Sequence, residues 1–236
     1  MISNYSVIFF DAGGTLFHPY PSVGEIYAEV ASKYGTRAGA DELEKVFRKA
    51  WIGKDKIGGA KDHSNEKIEK DWWRNLVRDV FDEFGGVADF DAFFEELYDL
   101  FADPKMWRLY QGTVEVLERL KKGDKRLAIV SNWDSRLYHL VEGLGLGNYF
   151  EFVLASAVVG YSKPSRKIFD EAVRRMGIRP GEAVHVGDSL EDDIRGASGA
   201  GIDAILIDRH HPMHGGKRDV PPGIQVIKDL NELLCA

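Results

Sequence analysis

The 236-residue chain carries a single cysteine, Cys235, beside its C-terminus. No intramolecular disulfide is possible, so the fold must rest on its core, and a reducing, cytoplasmic setting is the expectation. Positive charge is also short: 31 Lys and Arg face 38 Asp and Glu, for a net charge of −7. That excludes a broad nucleic-acid-binding face, which needs a basic surface. An acidic chain can still take a small phosphorylated molecule where a divalent cation and one lysine set the local field. No apolar run reaches membrane-spanning length, so no membrane partner is expected. The N-terminus lacks a basic segment followed by a long apolar one, so no secretory signal is expected. Internal repeats and low-complexity tracts are absent. What remains, 44% hydrophobic and 29% charged residues, is ordinary for a globular protein. The length suits one large domain or a core carrying an insertion.

Short apolar runs punctuate the chain at 5–10, 126–131 (RLAIVS), 150–156 (FEFVLAS), 183–187 (AVHVG) and 203–208 (DAILID), with a weaker one at 224–227 (IQVI). Helical patterns fill 113–122, 134–143, 165–176, 190–200 and 229–235. This alternation predicts an α/β fold built on a doubly wound, mostly parallel, Rossmann-like sheet. Residues 22–102 break it. They show helical periodicity almost alone, over 22–34, 40–52, 64–84 and 89–102, with breaks at Gly35, Gly58–Gly59 and Gly85–Gly86. This block reads as a helical lobe inserted after the first strand.

The candidate site residues stand at strand ends. SVIFFDAGGTL (6–16) puts Asp11 at the carboxyl end of an apolar strand, where open α/β sheets place ligands. Gly13 and Gly14 then allow a sharp turn and a close approach. Taken alone, Asp11 would also serve as a turn cap. HVGDSLEDDIRGASGAG (185–201) places Asp188 at a second such strand end. Two converging carboxylates repel unless a proton or cation intervenes, and oxygen ligands favour a hard cation such as Mg²⁺. Asp192 and Asp193 lie a turn further on, and one of them can reach back while the other faces solvent. Helix capping alone would account for Asp188, and favourable first-turn placement for the Asp192–Asp193 pair. Ser131–Asn132 closes LAIVSN, where a hydroxyl and backbone N–H groups suit phosphoryl oxygens. Lys163 precedes Pro164 at a helix start, so a rigid turn aims it.

Asp, Ser, Lys and Asp, each at a strand's carboxyl end and in that order, make the chain resemble the haloacid dehalogenase superfamily. The resemblance runs the full length, because the helical insertion matches the family's cap: residues 1–16 and 106–236 correspond to the core, and 17–105 to the cap. SNWDSRL (131–137) and the segment from Gly160 to Phe169 point to one subgroup within it. The resemblance implies Asp11 as the nucleophile of an aspartyl-phosphate. It implies Mg²⁺ held by Asp11, the Gly13 carbonyl, Asp188 and Asp193, with Asp192 as the alternative to Asp193. Ser131, Asn132 and Lys163 would hold the phosphoryl group, with Lys163 neutralising charge. It also implies a cap that opens and closes, with hinges near 16–22 and 102–112.

One position departs from the pattern. Most phosphatases of this superfamily carry a second aspartate two residues after the nucleophile, which protonates the leaving alkoxide and activates water; here Gly13 stands there. Loss of a general acid–base costs about 10²–10⁴-fold in rate. The open readings are a weak phosphatase or one restricted to good leaving groups, a phosphatase whose acid is His18 or Asp134, a metal-free 2-haloacid dehalogenase, and a non-catalytic module binding a phospho-ligand or a protein. A phosphonate hydrolase shares the missing Asp but resembles the chain less. The acidic 187–193 segment argues against the dehalogenase, and an exposed linker is the simpler reading of His18.

Trp51, Trp72, Trp73 and Trp107 would either line a pocket or pack in the core, and helical spacing favours the core for Trp72 or Trp73. Arg74 and Arg78, one turn apart, read as a solvated face. The three histidines within 208–219 lack metal-site spacing and read as a loop, and GLGLGN (143–148) reads as a helix stop.

Overall fold

The computed structural model describes residues 2–53, 63–209 and 220–234. The expected break at Gly58–Gly59, the histidine-rich loop from residue 210 on and Cys235 lie outside the described residues.

Strand β1 (Val7–Phe10) is buried at every position. A strand with no polar alternation must be covered on both faces. Ile8 and Phe10 enter one hydrophobic cluster, Val7 and Phe9 another, as the two-residue period of a strand requires. The first cluster recruits α5 (Thr113–Lys122), α6 (Arg136–Gly143) and a closing 3-10 turn at Leu230–Leu234. The second recruits α8 (Arg166–Met176) and the short α9 (Gly196–Gly199). Between these layers lie β4 (Arg126–Ser131), β5 (Val153–Ala155), β6 (Ala183–Gly187), β7 (Asp203–Ile207) and β8 (Gln225–Ile227), in the order β5-β4-β1-β6-β7-β8. Every pairing in this sheet is parallel. The doubly wound architecture expected from the sequence is the one observed.

Between β1 and β4 the chain leaves the sheet. It forms α1 (Val23–Lys33), α2 (Ala40–Gly53), α3 (Glu66–Asp82) and α4 (Phe90–Leu100). Ser22 and Glu25 start α1 with a reciprocal capping box. The inner faces of the four helices build a cluster of their own, centred on Tyr27, Phe47, Phe81, Phe93 and Phe94.

Local details differ from expectation. The run 150–156 contributes only Val153–Ala155, because Ser156 already begins α7 (Ser156–Val159). Residues 190–200 split into a π-type turn, Leu190–Arg195, and α9. Ser189 O accepts from both Asp193 N and Ile194 N, and the glycines at 196 and 199 are poor helix formers. The two segments expected as hinges contain β2 (Phe17–Pro19) and β3 (Trp107–Leu109), which pair antiparallel with Phe17 opposite Leu109. Strands of three residues are too short to show a period.

Candidate active site

The parallel register brings the strand ends together. Phe10 lies opposite Ile129 of β4 and Val186 of β6. Asp11 N then donates to Val186 O at 2.9 Å, which extends the pairing one residue further. Asp11, Ser131 and Asp188 thus share one end of the sheet. Ser131 Oγ donates to Asp11 Oδ1 at 2.9 Å. Lys163, 2% exposed, donates from Nζ to Asp11 Oδ1 at 2.6 Å and to Asp193 Oδ1 at 2.5 Å. Its loop is clamped by Asn132, whose Nδ2 donates to Lys163 O at 2.9 Å while Oδ1 accepts from Lys163 N at 2.7 Å.

Asp193 is the member of its pair that turns inward. It is buried, and Oδ2 accepts from Ser189 N at 2.9 Å. The half-buried Asp192 stays at the helix start, where its N–H donates to Ser189 Oγ at 3.1 Å. Behind Asp193 lies His185, fully buried on β6, with Nε2 at 2.8 Å from Asp193 Oδ1. A carboxylate only accepts, so Nε2 carries the proton. His185 Nδ1 has no hydrogen-bond partner among the described residues, which suits a neutral ring.

Burial pushes the Asp11 carboxyl up to about 7; Lys163 opposes this, while Asp193 and Asp188 reinforce it. Burial would also raise Asp193, but the Lys163 ammonium and the His185 ring outweigh it and hold that carboxyl well below its usual range. Burial disfavours charge on Lys163, yet Asp11 and Asp193 keep its pKa above the ordinary lysine value. His185 is pushed down by burial, against the pull of Asp193. One carboxylate oxygen from each of Asp11, Asp188 and Asp193 lies within 4.8 Å of the others. An all-oxygen set of three acids, two of them sharing the Lys163 ammonium, fits a hard divalent cation.

Two glycines make this floor possible. Gly14 adopts φ +81°, and a Cβ there would stand 2.3 Å from Asp188 Oδ2. A Cβ on Gly13 would stand 2.9 Å from Cζ3 of Trp133. The missing second aspartate is therefore not an open gap, because the Trp133 indole covers the place its side chain would take.

Above the floor opens a cavity of about 490 Å³ that runs into the helical lobe, and all five tryptophans of the chain line it. Trp72 and Trp73 thus join Trp51, Trp107 and Trp133 in a pocket wall while packing against the lobe's core. Tertiary packing, not helical spacing, decides their exposure. His18 is no exposed linker: it lies on β2, lines the cavity, donates from Nδ1 to Pro19 O at 2.9 Å and packs on Tyr110. Asp134 is buried outside the cavity wall, held by Arg136 at 2.7 Å and by the Tyr98 hydroxyl at 2.7 Å. That engagement withdraws it as a proton donor to the site. Arg74 bridges α3 to Asp91 and Glu95 of α4, and Arg78 lies over Phe90, so both hold helix to helix.

Three residues went unmarked in the sequence: Trp133, His185 and Glu69. Glu69 of α3 is fully buried and accepts at Oε1 from Ser64 (2.6 Å) and from Ser156 of the sheet domain. Burial raises its carboxyl to about 7 despite those two hydroxyls. The one available signal was for His185, a polar residue inside an otherwise apolar strand.

A parallel, Rossmann-like sheet whose carboxyl edge gathers an aspartate, a serine, a lysine and a second acidic loop has the arrangement of a hydrolase that works through strand-end carboxylates. The particular family follows from comparison: residues 5–201 match the haloacid dehalogenase-like hydrolases, and the chain belongs to that family. Haloacid dehalogenase-like hydrolase domain-containing protein 3 of Mus musculus is 33% identical over 229 residues, 96% of this chain and 91% of the relative. This is the subgroup to which residues 131–137 and 160–169 point. A glyceraldehyde 3-phosphate phosphatase of Methanothermobacter thermautotrophicus is 34% identical over 134 residues, 53% of this chain and 57% of its own. Among solved structures, a HAD phosphatase from Thermococcus onnurineus superposes with a TM-score of 0.64 at 27% identity, covering 97% of this chain and 95% of that one. Among the described residues no helix is long and apolar enough to cross a membrane.

Proposed function

We propose that this hydrolase is a Mg²⁺-dependent phosphatase of small phosphorylated molecules, working through an aspartyl-phosphate on Asp11, with residues 17–105 as its cap. The observation that carries this is Lys163, buried and bonded to both Asp11 and Asp193 beneath three converging carboxylates. So much acid around one ammonium suits a site that receives a cation and a phosphoryl group together. The relatives named as phosphatases support the same reading.

Asp11 Oδ1 is held by Ser131 and Lys163, which orients Oδ2 for attack on phosphorus. The Ser131 hydroxyl, the Asn132 N–H and Lys163 hold phosphoryl oxygens, and fixed donors of this kind supply most of the stabilisation in phosphoryl transfer. A bound Mg²⁺, held by Asp11, the Gly13 carbonyl, Asp188 and Asp193, would offset the charge shared by carboxylates and phosphoryl group. Attack breaks the P–O bond to the leaving group, and water then cleaves the acyl phosphate and restores Asp11.

The test is hydrolysis of acetyl phosphate and p-nitrophenyl phosphate with Mg²⁺ and with chelator. Turnover that needs the ion and is lost in Asp11→Asn supports the proposal. Halide release from a 2-haloacid that survives chelation would instead establish the dehalogenase, which Gly13 and the apolar cavity favour. Phosphate binding without turnover would establish a non-catalytic module.

A further inference from the structure

Two features of the cavity, independent of each other, bear on what leaves when the phosphoryl group is transferred. The first is the wall. Beyond the carboxylate floor the cavity is bounded by Tyr27, Phe47, Trp51, Trp72, Trp73 and Val77. Trp72 meets Trp51 and Trp73 edge to face, with centroids 5.4 and 5.0 Å apart. Rings set this way present flat faces and edges that favour another aromatic ring. The cavity's lysine and arginine, Lys163 and Arg136, both have carboxylate partners: Asp11 and Asp193 for the first, Asp134 for the second. Arg136 also lies 3.4 Å over the Tyr98 ring. Among the described residues the wall thus holds no uncommitted lysine or arginine for a second phosphate or a carboxylate on the substrate. A volume of about 490 Å³ lies within the ordinary range for small-molecule pockets.

The second feature is the covered slot above Gly13. Trp133 covers the place a side chain at Gly13 would take beside the departing oxygen, Asp134 is tied up elsewhere, and His18, though it lines the cavity, spends its Nδ1–H on Pro19 O and packs its ring on Tyr110. A leaving alkoxide, with a conjugate acid near the pKa of about 15.7 of water, needs that proton. A leaving aryloxide, with a conjugate acid near 10, departs as the anion.

Resting on the phosphatase reading, we infer that the site is built for aryl phosphates: monoesters whose leaving group is an uncharged, multi-ring or substituted aromatic alcohol seated among the lobe's tryptophans. In the first step an Asp11 oxygen bonds to phosphorus as the P–O(aryl) bond breaks and the aryloxide leaves. Water then attacks phosphorus, the bond to Asp11 breaks, one proton of the water reaches the aryloxide and the other stays on the phosphate. Trp133 is the specificity-determining residue, since it joins the aromatic wall and closes the acid's place in one stroke.

The experiment compares kcat/KM of the full-length protein with Mg²⁺ on acetyl, phenyl, 2-naphthyl and 2-phenylethyl phosphate. Acetyl phosphate is small and needs no acid, so it reports the phosphatase chemistry alone. The ester of 2-phenylethanol is aromatic but leaves as an alkoxide. The expected order is 2-naphthyl above phenyl by about tenfold, and phenyl above 2-phenylethyl by about 10²-fold or more. Val77→Phe, which narrows the cavity, lowers the 2-naphthyl to acetyl ratio by about tenfold, in line with one poorly accommodated group in an apolar pocket. Should that variant fail to fold, Trp73→Leu is read in the same way. Asp11-dependent hydrolysis of acetyl phosphate with no preference for 2-naphthyl over phenyl, or with alkyl and aryl esters cleaved alike, overturns the inference and leaves the phosphatase standing. No turnover of acetyl phosphate removes both.

Discussion

The floor of the cavity and its wall are built on opposite principles. The floor consists of short polar side chains attached to the ends of parallel strands, so their positions follow from backbone register. Lys163 aside, the chemical groups of Asp11, Ser131 and Asp188 lie within a bond or two of the main chain. The wall consists of large rings carried by helices of the lobe and by the 107 and 133 segments. Each ring's position depends on how several elements pack. A floor of this kind can be shared across a family, whereas a wall of this kind can be rebuilt for each substrate.

The strongest way to break the contrast is at the floor. Lys163→Met leaves Asp11 and Asp193 buried around a lost ammonium, and removing one partner of a buried pair costs about 3–5 kcal/mol. Loss of turnover together with a large fall in the denaturant midpoint is expected; a variant that melts like the wild type would show that the carboxylates are solvated and the floor is looser than described. Next comes the junction of floor and wall. Gly13→Asp alone gains nothing on 2-phenylethyl phosphate, because its Cβ meets the Trp133 ring. Combined with Trp133→Leu, it raises kcat/KM on that ester by about 10²-fold. Equal gains with and without the Trp133 change would mean that the indole does not block the acid's place.

A smaller effect tests support from behind the floor. His185→Phe removes the donor to Asp193 while keeping a ring against Phe169. A hydrogen bond to a charged group is worth about 1.5–3 kcal/mol. With the Asp193 carboxylate less well held, weaker Mg²⁺ binding (a higher half-saturating concentration) is expected at little change in KM; a change in KM alone would deny His185 its positioning role. The smallest effect concerns the contact between lobe and sheet domain. Glu69 titrates near 7 when buried and near 4.5 when exposed. A raised acid binds its proton more tightly in the folded state, so its contribution is fully present below about 4.5 and fades as pH rises to about 7. Glu69→Gln should flatten that part of the melting-temperature profile. Profiles that stay parallel between pH 5 and 8 would place the Glu69 charge in water.

Much of the floor was legible in the sequence because its signals are local. An apolar run ending in Asp, a run ending in Ser–Asn, and Lys before Pro each mark a strand end or helix start within a few residues. The choice between Asp192 and Asp193 was not legible: the π-type turn directs the second one inward, and helical periodicity does not anticipate a five-residue closure. Trp133 over Gly13 joins positions 120 apart, and Glu69 on Ser156 joins positions 87 apart. No local pattern reports such pairs.

Composition and periodicity by themselves determined an acidic chain with one cysteine, a parallel sheet, a run of helices after the first strand and acids at strand ends. Those follow from the chemistry of neighbouring residues and the two-residue and 3.6-residue periods. Only the tertiary structure decided that five tryptophans from distant segments face one cavity, that an indole fills the place of a missing acid, and that Asp134 is bound away from the site. Side-chain direction at a partly buried helix position is settled by what packs against it, and that partner is a matter of three-dimensional arrangement.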